Sequence, residues 1–241
     1  MTYKNLSYLI ISLLFLTGGC KDINTDKKTI SPENQQKKDS VGTMEETIYK
    51  TGEQKKDTFR LTEENAIKFF FDYSKTLTEN TVRLTTRFGD ITIQLYDNVP
   101  YHKANFIYLT KKGYFNNTYF HRVVKDFIIQ GGNADNEETA RKRGDIGRYL
   151  LPPDTRKGYK HHRGTISMPS SEINNPHKLA SPFEFFIVVT HPGSYHLDGG
   201  YTPFGKVIEG MDVVDEINRQ PVDNGDWPSQ NITILKAEVI R

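Results

Sequence analysis

Short stretches in which apolar side chains alternate with polar ones recur from residue 79 onward and constrain the fold more than any other feature. The first hairpin is predicted to turn at Gly89-Asp90, with alternating positions at Val82, Leu84, Thr86, Phe88, Ile91, Ile93 and Leu95. Further strands are predicted on both sides of Lys125-Asp126 and over 165–168, 185–189, 201–207 and 231–240, with one helix from Pro100 to a stop at Gly113 and another over 211–218. Many short strands with only two helices favour a sandwich or a closed barrel, because closure leaves no exposed sheet edge.

One helix is predicted ahead of this strand-rich domain, which covers residues 79–241. Thr62 is its expected cap, and Glu63 and Glu64 follow in the first turn. Residues 59–78 are therefore assigned to an N-terminal helix, whose apolar face is expected to pack on the outside of the domain. Inside the domain, residues 133–164 are rich in polar side chains, and a long loop is predicted there.

The first twenty residues have the pattern of an export signal. Lys4 is followed by an apolar run over 6–16, which is too short to span a bilayer. The run leads through small residues to Cys20, the single cysteine of the chain. This resembles the lipobox of bacterial lipoproteins, in which the cysteine is acylated, although Thr17 departs from that pattern. The alternative is an ordinary secretory signal with an incidental cysteine.

Residues 21–58 are predicted to be a disordered polar tether. The segment contains eight lysines and eight acidic residues with few large apolar side chains, so it cannot bury enough surface to offset its ordering entropy. The resemblance to a lipobox implies a protein of the bacterial cell envelope, anchored in a membrane by lipid. Lys21, in place of an acidic residue directly after the cysteine, favours the periplasmic side of the outer membrane. The mixed charge, and a net charge of +2, give no sign of nucleic-acid binding.

The stretch 119–132 contains the candidate site. Arg122 stands inside a predicted strand, where a cation must be paired or kept in water. One interpretation is that Arg122 lies on the solvent face of the strand, where water hydrates its charge. However, His121 and Phe127 flank the same hairpin, and Gln130 precedes a glycine pair, so an apolar patch with a cation and an amide is also predicted. Such a patch suits an extended peptide.

Other chemistries have little support in the sequence. It contains no Gly-x-Ser-x-Gly elbow, no metal motif with suitable spacing and no phosphate-binding loop. Its one cysteine lies at the end of the signal. We therefore expect no cofactor and no metal.

These residues carry a resemblance to a known family. Phe120-His121-Arg122 with Phe127-x-x-Gln130-Gly131-Gly132 resembles the signature of cyclophilin-type peptidyl-prolyl isomerases. Further segments follow in the order of that family, among them Gly164-Thr165-Ile166-Ser167-Met168, Leu197-Asp198-Gly199 and Phe204-Gly205-Lys206-Val207. The resemblance covers about 82–240 and implies a closed eight-stranded antiparallel barrel capped by two helices, with the site on an outer face.

The resemblance also implies roles for individual residues. Arg122 would be the catalytic residue, and Gln130 would bind the substrate backbone and help to orient it. The remaining substrate-binding residues would be Phe127, Ile128, Glu184, Phe186, Leu197 and Tyr201. The partners would be proline-containing polypeptides, bound by a monomer that assists the folding of exported proteins.

Several positions depart from the family pattern. Glu184 stands where glutamine is usual, and we expect it to pair with Arg122 and partly neutralise it. His196 replaces a tryptophan linked to cyclosporin binding, which predicts weak sensitivity to that drug. Pro169-Ser170-Ser171 replaces a small Ala-Asn-Ala-like stretch, and the loop from there to Glu184 is longer than usual. Glu184 and this altered loop leave a second interpretation open, a weakly active or non-catalytic module that binds proline-containing segments.

Overall fold

The computed structural model describes residues 59–171 and 174–241. The predicted signal segment 1–20, its lipidation residue Cys20 and the predicted tether 21–58 lie outside the described residues. Within the described ranges, none of the helices combines the length and the apolar character that crossing a membrane requires.

Eight antiparallel strands close into a barrel, as the resemblance implied. The strands are β1 (Thr81–Thr86), β2 (Gly89–Leu95), β3 (Thr118–Val124), β4 (Ile128–Asn133), β5 (Thr165–Ser167), β6 (Phe185–Val188), β7 (Pro203–Glu209) and β8 (Thr233–Val239). Their order around the barrel is β1-β2-β7-β5-β6-β4-β3-β8. The choice between sandwich and barrel is therefore settled in favour of the barrel, which has no free edge.

The alternation predicted for the first hairpin is confirmed, but its turn was misplaced. β1 and β2 are joined through Arg87-Phe88, and Thr86 pairs with Gly89. Gly89 adopts a φ of 127°, and a Cβ there would lie 2.9 Å from Val213. Glycine is needed because the backbone is left-handed and a neighbour is close, so it marks the end of the turn rather than its centre.

Two helices cap the barrel. Pro100 begins α2 (Pro100–Lys111), where its missing N–H costs nothing. α2 contacts β7 and β8, and most of its residues are buried because another helix covers its outer side. The second cap, α4 (Met211–Asn218), contacts β2, β3 and β4.

The covering helix is α1 (Ala66–Thr76), whose cap, Asn65, lies three residues after the predicted cap, Thr62. The N–H of Thr62 donates to the side chain of Asn65 at 2.8 Å, and residues 63–65 form a turn instead of the first turn of the helix. Phe70 is fully buried, with its ring centroid 5.4 Å from that of Tyr149. The helix therefore packs on the outside of the domain.

The prediction of a long loop over 133–164 was wrong. This segment contains α3 (Glu137–Ile146) and a single 3-10 turn at Thr155–Lys157, so the domain has three α-helices. The side chain of Asn136 caps α3 by accepting from the N–H of Thr139 at 2.8 Å. The helix escaped prediction because it buries only two residues, Thr139 and Ile146, and therefore lacks an apolar stripe.

The chain before α1 fastens α3 to the domain. The N–H of Leu61 donates to the carbonyl of Ile146 at 2.8 Å, and its own carbonyl accepts from Arg148 at 3.0 Å. Gly147 lies between these two bonds, and a Cβ there would come within 1.9 Å of the Leu61 oxygen. Glycine at this position thus permits the two segments to pair.

Candidate functional site

The hairpin of β3 and β4 places the predicted cation and the predicted amide side by side. Arg122 and Gln130 are opposite each other in the ladder, so their side chains leave the same face of the sheet. The turn between them is held by α4, since Asn218 accepts from the N–H of Asp126 and donates to the carbonyl of Val124, both at 2.9 Å. The hairpin predicted around Lys125-Asp126 is therefore present.

A small cleft of about 120 Å³ opens on this outer face. Its lining consists of Arg122, Phe127, Ile128, Gln130, Pro169, Phe186, Leu197 and Tyr201. The cleft thus brings together the predicted site residues other than Glu184. Pro169 was not predicted as a contact, since a proline in a polar segment gives no sign of facing a cleft.

The floor of the cleft is apolar and separate from the barrel core. Ile128, Phe186 and Val188 form a buried cluster of their own. The ring of Tyr201 meets that of Phe186 edge-on, with centroids 5.8 Å apart. At the rim, His196 stacks on Phe127 at 5.4 Å. His196 therefore covers part of the aromatic wall as a smaller ring than tryptophan.

Polar side chains behind the floor hold it in place. The ring of His161 is parallel to Phe186 within 14°, and its Nδ1 lies 2.8 Å from Asp198 while its Nε2 lies 3.0 Å from Ser167. Burial lowers the pKa of His161, and the carboxylate of Asp198 opposes that shift. The order Asp-His-Ser is that of a hydrolase triad, but the Ser167 side chain is fully buried and faces no substrate. The sequence separates these residues by up to 37 positions and gave no sign of the network.

Arg122 is paired with a carboxylate that sequence reasoning missed. Its Nη2 lies 3.2 Å from Oδ2 of Asp226, and the two side chains are 40% and 37% exposed. The carbonyl of Asp226 also accepts from the N–H of Val123, which ties this loop to β3. The pair leaves Arg122 at the solvent-facing side of the cleft, where a substrate carbonyl can reach the guanidinium.

The expected pair between Glu184 and Arg122 is replaced by a different set of contacts. Oε2 of Glu184 accepts from Nε2 of Gln130 at 2.9 Å and lies 3.5 Å from His121. Its Oε1 lies 3.6 Å from Nη2 of Arg143, which comes from α3. Glu184 stands directly before β6, so its carboxylate lies behind Gln130 and does not line the cleft.

The ionisation of Glu184 reflects these partners. Burial raises the pKa of the carboxyl, but His121, the amide of Gln130 and the charge of Arg143 together outweigh burial and bring the pKa below its ordinary value. The side chain therefore stays charged although only a fifth of its surface is exposed.

The arrangement can bind and polarise a peptide group, and the described part of the chain offers little else. No group of three or more His, Cys, Asp or Glu side chains is placed there to hold a metal ion. A cation and an amide above an apolar floor suit a ligand with one small ring and a neighbouring carbonyl. The cleft volume of about 120 Å³ is close to the roughly 150 Å³ of a cavity that holds a benzene ring, so a ring of five atoms has a suitable size.

A family model decides the assignment. The model described as cyclophilin type peptidyl-prolyl cis-trans isomerase/CLD matches residues 81–239. The chain belongs to this family. The match covers the whole barrel from β1 to β8, and it includes α3 as well as both capping helices.

Individual relatives agree with this assignment. The peptidyl-prolyl cis-trans isomerase cypE of Dictyostelium discoideum is 40% identical over 165 residues, which is 67% of this chain and 98% of that protein. A peptidyl-prolyl cis-trans isomerase-like 2 of Rhizopus delemar is 36% identical over 171 residues, and there the match covers 70% of this chain and 30% of the longer relative.

Solved cyclophilin structures have the same barrel. The crystal structure of a Cryptosporidium parvum cyclophilin type peptidyl-prolyl cis-trans isomerase matches with a TM-score of 0.57 and 29% identity, covering 68% of this chain and 98% of that one. A second structure of that protein, in the presence of the dipeptide Ala-Pro, matches with a TM-score of 0.56.

Proposed function

We propose that this cyclophilin catalyses the cis–trans isomerisation of Xaa-Pro bonds in polypeptides, with Arg122 as the catalytic residue. The observation that carries the proposal is the position of Arg122 beside an apolar cleft, opposite Gln130 in the same hairpin. The Cryptosporidium relative whose structure was determined in the presence of Ala-Pro supports a proline-containing ligand for the same barrel.

The chemistry requires neither a nucleophile nor a metal. Rotation about the bond meets a barrier of roughly 20 kcal/mol because amide resonance must be broken. The protein must therefore bind the twisted amide more tightly than either planar form. The guanidinium of Arg122 donates to the prolyl carbonyl and favours a localised lone pair on the prolyl nitrogen, in a cleft partly closed to water.

The other residues of the cleft hold the substrate for that step. Phe127, Ile128, Phe186 and Leu197 take the proline ring, which fits the apolar cluster at the floor. Gln130 binds the substrate backbone, and Tyr201 adds an aromatic side chain to the cleft, edge-on to Phe186.

A second candidate is a module that binds proline-containing segments without useful turnover. The pair between Arg122 and Asp226 favours it, because a carboxylate on the guanidinium competes with a substrate carbonyl. The two candidates differ in turnover and share the binding site.

An isomerisation assay separates them. Wild type and Arg122→Ala are compared on a proline-containing peptide, with binding of the same peptide measured in parallel. The isomerase proposal requires acceleration by wild type and its loss in the variant. Binding without acceleration assigns the chain to the second candidate, and equal acceleration by both proteins removes Arg122 from the mechanism.

We further propose that the protein acts at the bacterial cell envelope, anchored through acylated Cys20 on the periplasmic side of the outer membrane, and assists the folding of exported proteins. Support comes from the short apolar run that ends at this cysteine and from the polar segment 21–58, which suits a spacer. Mass spectrometry of protein from a bacterial membrane fraction tests the anchor. A cleaved chain with an unmodified N terminus would contradict it.

A further inference from the structure

A carboxylate behind the cleft determines which atom Gln130 offers to a substrate. An ionised carboxylate only accepts hydrogen bonds, so the amide of Gln130 must turn its nitrogen toward Glu184. The amide oxygen is then the atom left for the cleft, and it can accept from a substrate N–H. The orientation of Gln130 thus depends on the charge and the position of Glu184.

Glu184 needs a compensating charge because most of its side chain is buried. His121 supplies a charge only when it is protonated, whereas an arginine is always charged. Arg143 stands 3.6 Å from the carboxylate, and its buried Nη2 has no hydrogen-bond partner among the described residues. The contact therefore acts through charge, and it does not saturate the hydrogen-bonding capacity of either group.

Arg143 is itself held rigidly against the strand that carries Gln130. Its Nε donates to the hydroxyl of Tyr114 at 2.8 Å, and that hydroxyl donates to the carbonyl of Gly132 in β4 at 2.8 Å. The guanidinium also lies 5.5 Å from the ring of Phe183. These contacts fix the charge beside β4, and through the α3 backbone they connect it to the segment around Leu61.

We propose that Arg143 is a positioning residue for isomerisation, which keeps Glu184 charged and in place so that Glu184 orients the amide of Gln130 toward the substrate. The inference deepens the proposed isomerase function and rests on it. It also gives α3 a role in the site, although that helix contributes no residue to the cleft lining.

A double-mutant cycle on the purified full-length protein tests the proposal. Arg143→Met keeps the apolar stem and removes the charge, Arg143→Lys keeps the charge, and Glu184→Gln removes the need for a counter-charge while leaving an acceptor for Gln130. Arg141→Ala is the matched control, since Arg141 lies on the same helix and is exposed. kcat/KM is measured for each protein on one proline-containing peptide, and thermal unfolding confirms that each is folded.

We expect Arg143→Met to lower kcat/KM about fivefold, which is in the range of coupling between neighbouring charged residues. Arg143→Lys is expected to retain most of the activity, and Arg141→Ala to match wild type. In the Glu184→Gln background, where the carboxylate that Arg143 serves is gone, Arg143→Met should cause no further loss of kcat/KM.

Equal losses from Arg143→Met in both backgrounds would overturn the proposal, because Arg143 would then support the fold independently of Glu184. A loss in Arg141→Ala as large as that in Arg143→Met would also overturn it. Failure of the underlying function has a different signature, since wild type itself would then leave the isomerisation rate unchanged.

Discussion

Two arginine–carboxylate pairs flank the site, and the pair with the shorter distance is the more exposed of the two. Arg122 and Asp226 are separated by 3.2 Å, but 40% and 37% of their side chains are exposed. Arg143 and Glu184 are separated by 3.6 Å, with 32% and 20% exposed. The shorter pair is the more exposed and is screened by water, whereas the longer pair has a mostly buried carboxylate and is screened less.

The two arginines are similarly exposed, so the pairs differ mainly in the burial of the carboxylate. An exposed pair contributes little, so in the proposed mechanism Arg122 can exchange Asp226 for a prolyl carbonyl at small cost. Because the carboxylate of Glu184 is mostly buried, its pair with Arg143 costs more to break, so Arg143 is suited to holding a neighbour in position. We therefore assign turnover to Arg122 and orientation of Gln130 to Arg143.

The largest expected effect is on activity and comes from removing Arg122, the arginine of the exposed pair. Arg122→Ala is predicted to lower kcat/KM by roughly 100-fold or more, the cost of removing one preorganised donor from a developing charge. Arg219→Ala is a matched control, because Arg219 is exposed and pairs with Glu216 on its own helix end, away from the cleft lining. The assay is isomerisation of a proline-containing peptide, and a loss of less than about threefold in Arg122→Ala would contradict the assignment.

The second effect is on stability and comes from removing Glu184, the carboxylate that pairs with Arg143. Glu184→Leu leaves the charge of Arg143 without its partner and is predicted to destabilise the protein by about 2 kcal/mol. Asp226→Asn, which tolerates the φ of 65° at this position, is expected to change stability by less than about 0.5 kcal/mol. Urea unfolding of both variants measures the difference. Equal changes in stability would show that burial does not separate the two pairs.

The contribution of Glu184 to stability should also depend on pH. The folded-state pKa of Glu184 lies below its ordinary value because His121, Gln130 and Arg143 outweigh burial, so the unfolded chain takes up a proton first as the pH falls. The stabilisation is present above the unfolded pKa, roughly 4.3 for a free glutamate, and is lost as the pH falls through the folded pKa. The stability difference between wild type and Glu184→Gln should therefore shrink below that pH, and a difference that grows there would refute the account.

The smallest effect concerns the exposed pair during turnover. Asp226→Asn frees the guanidinium of Arg122, and we predict that kcat/KM rises up to about threefold at low salt. The difference should disappear near 1 M salt, where the Debye length is about 3 Å. A large loss of activity in Asp226→Asn would instead mean that Asp226 holds Arg122 in its working orientation.

The barrel and the part of the site on the β3–β4 hairpin could be predicted from the sequence, whereas the contact from α3 could not. Arg122 and Gln130 lie in one hairpin, so strand alternation alone sets them side by side. Arg143 lies on a polar helix with two buried residues, and a helix without an apolar stripe gives no periodic signal. Its pairing with Glu184 spans 41 residues of sequence and depends on tertiary packing.

The details of turns and partners were also beyond sequence reasoning. The sequence places Gly89 in the middle of a turn because glycine favours turns. In the structure Gly89 is the first residue of β2, where its left-handed φ and the close approach of Val213 call for glycine. Glu184 was expected to meet the nearest cation of the site, Arg122. Instead three partners take its carboxylate, and Asp226 reaches Arg122 from a loop 104 residues away.

Exchange spectroscopy of a peptide at equilibrium tests the central claim most directly, because it detects turnover apart from binding. Uncatalysed Xaa-Pro isomerisation takes tens of seconds or more, so a peptide alone gives no exchange cross-peaks within a mixing time below about one second. The account predicts that a substoichiometric amount of wild type produces cis–trans cross-peaks and that Arg122→Ala does not. Shifted peptide signals without cross-peaks in wild type, or equal cross-peaks in both proteins, would contradict it.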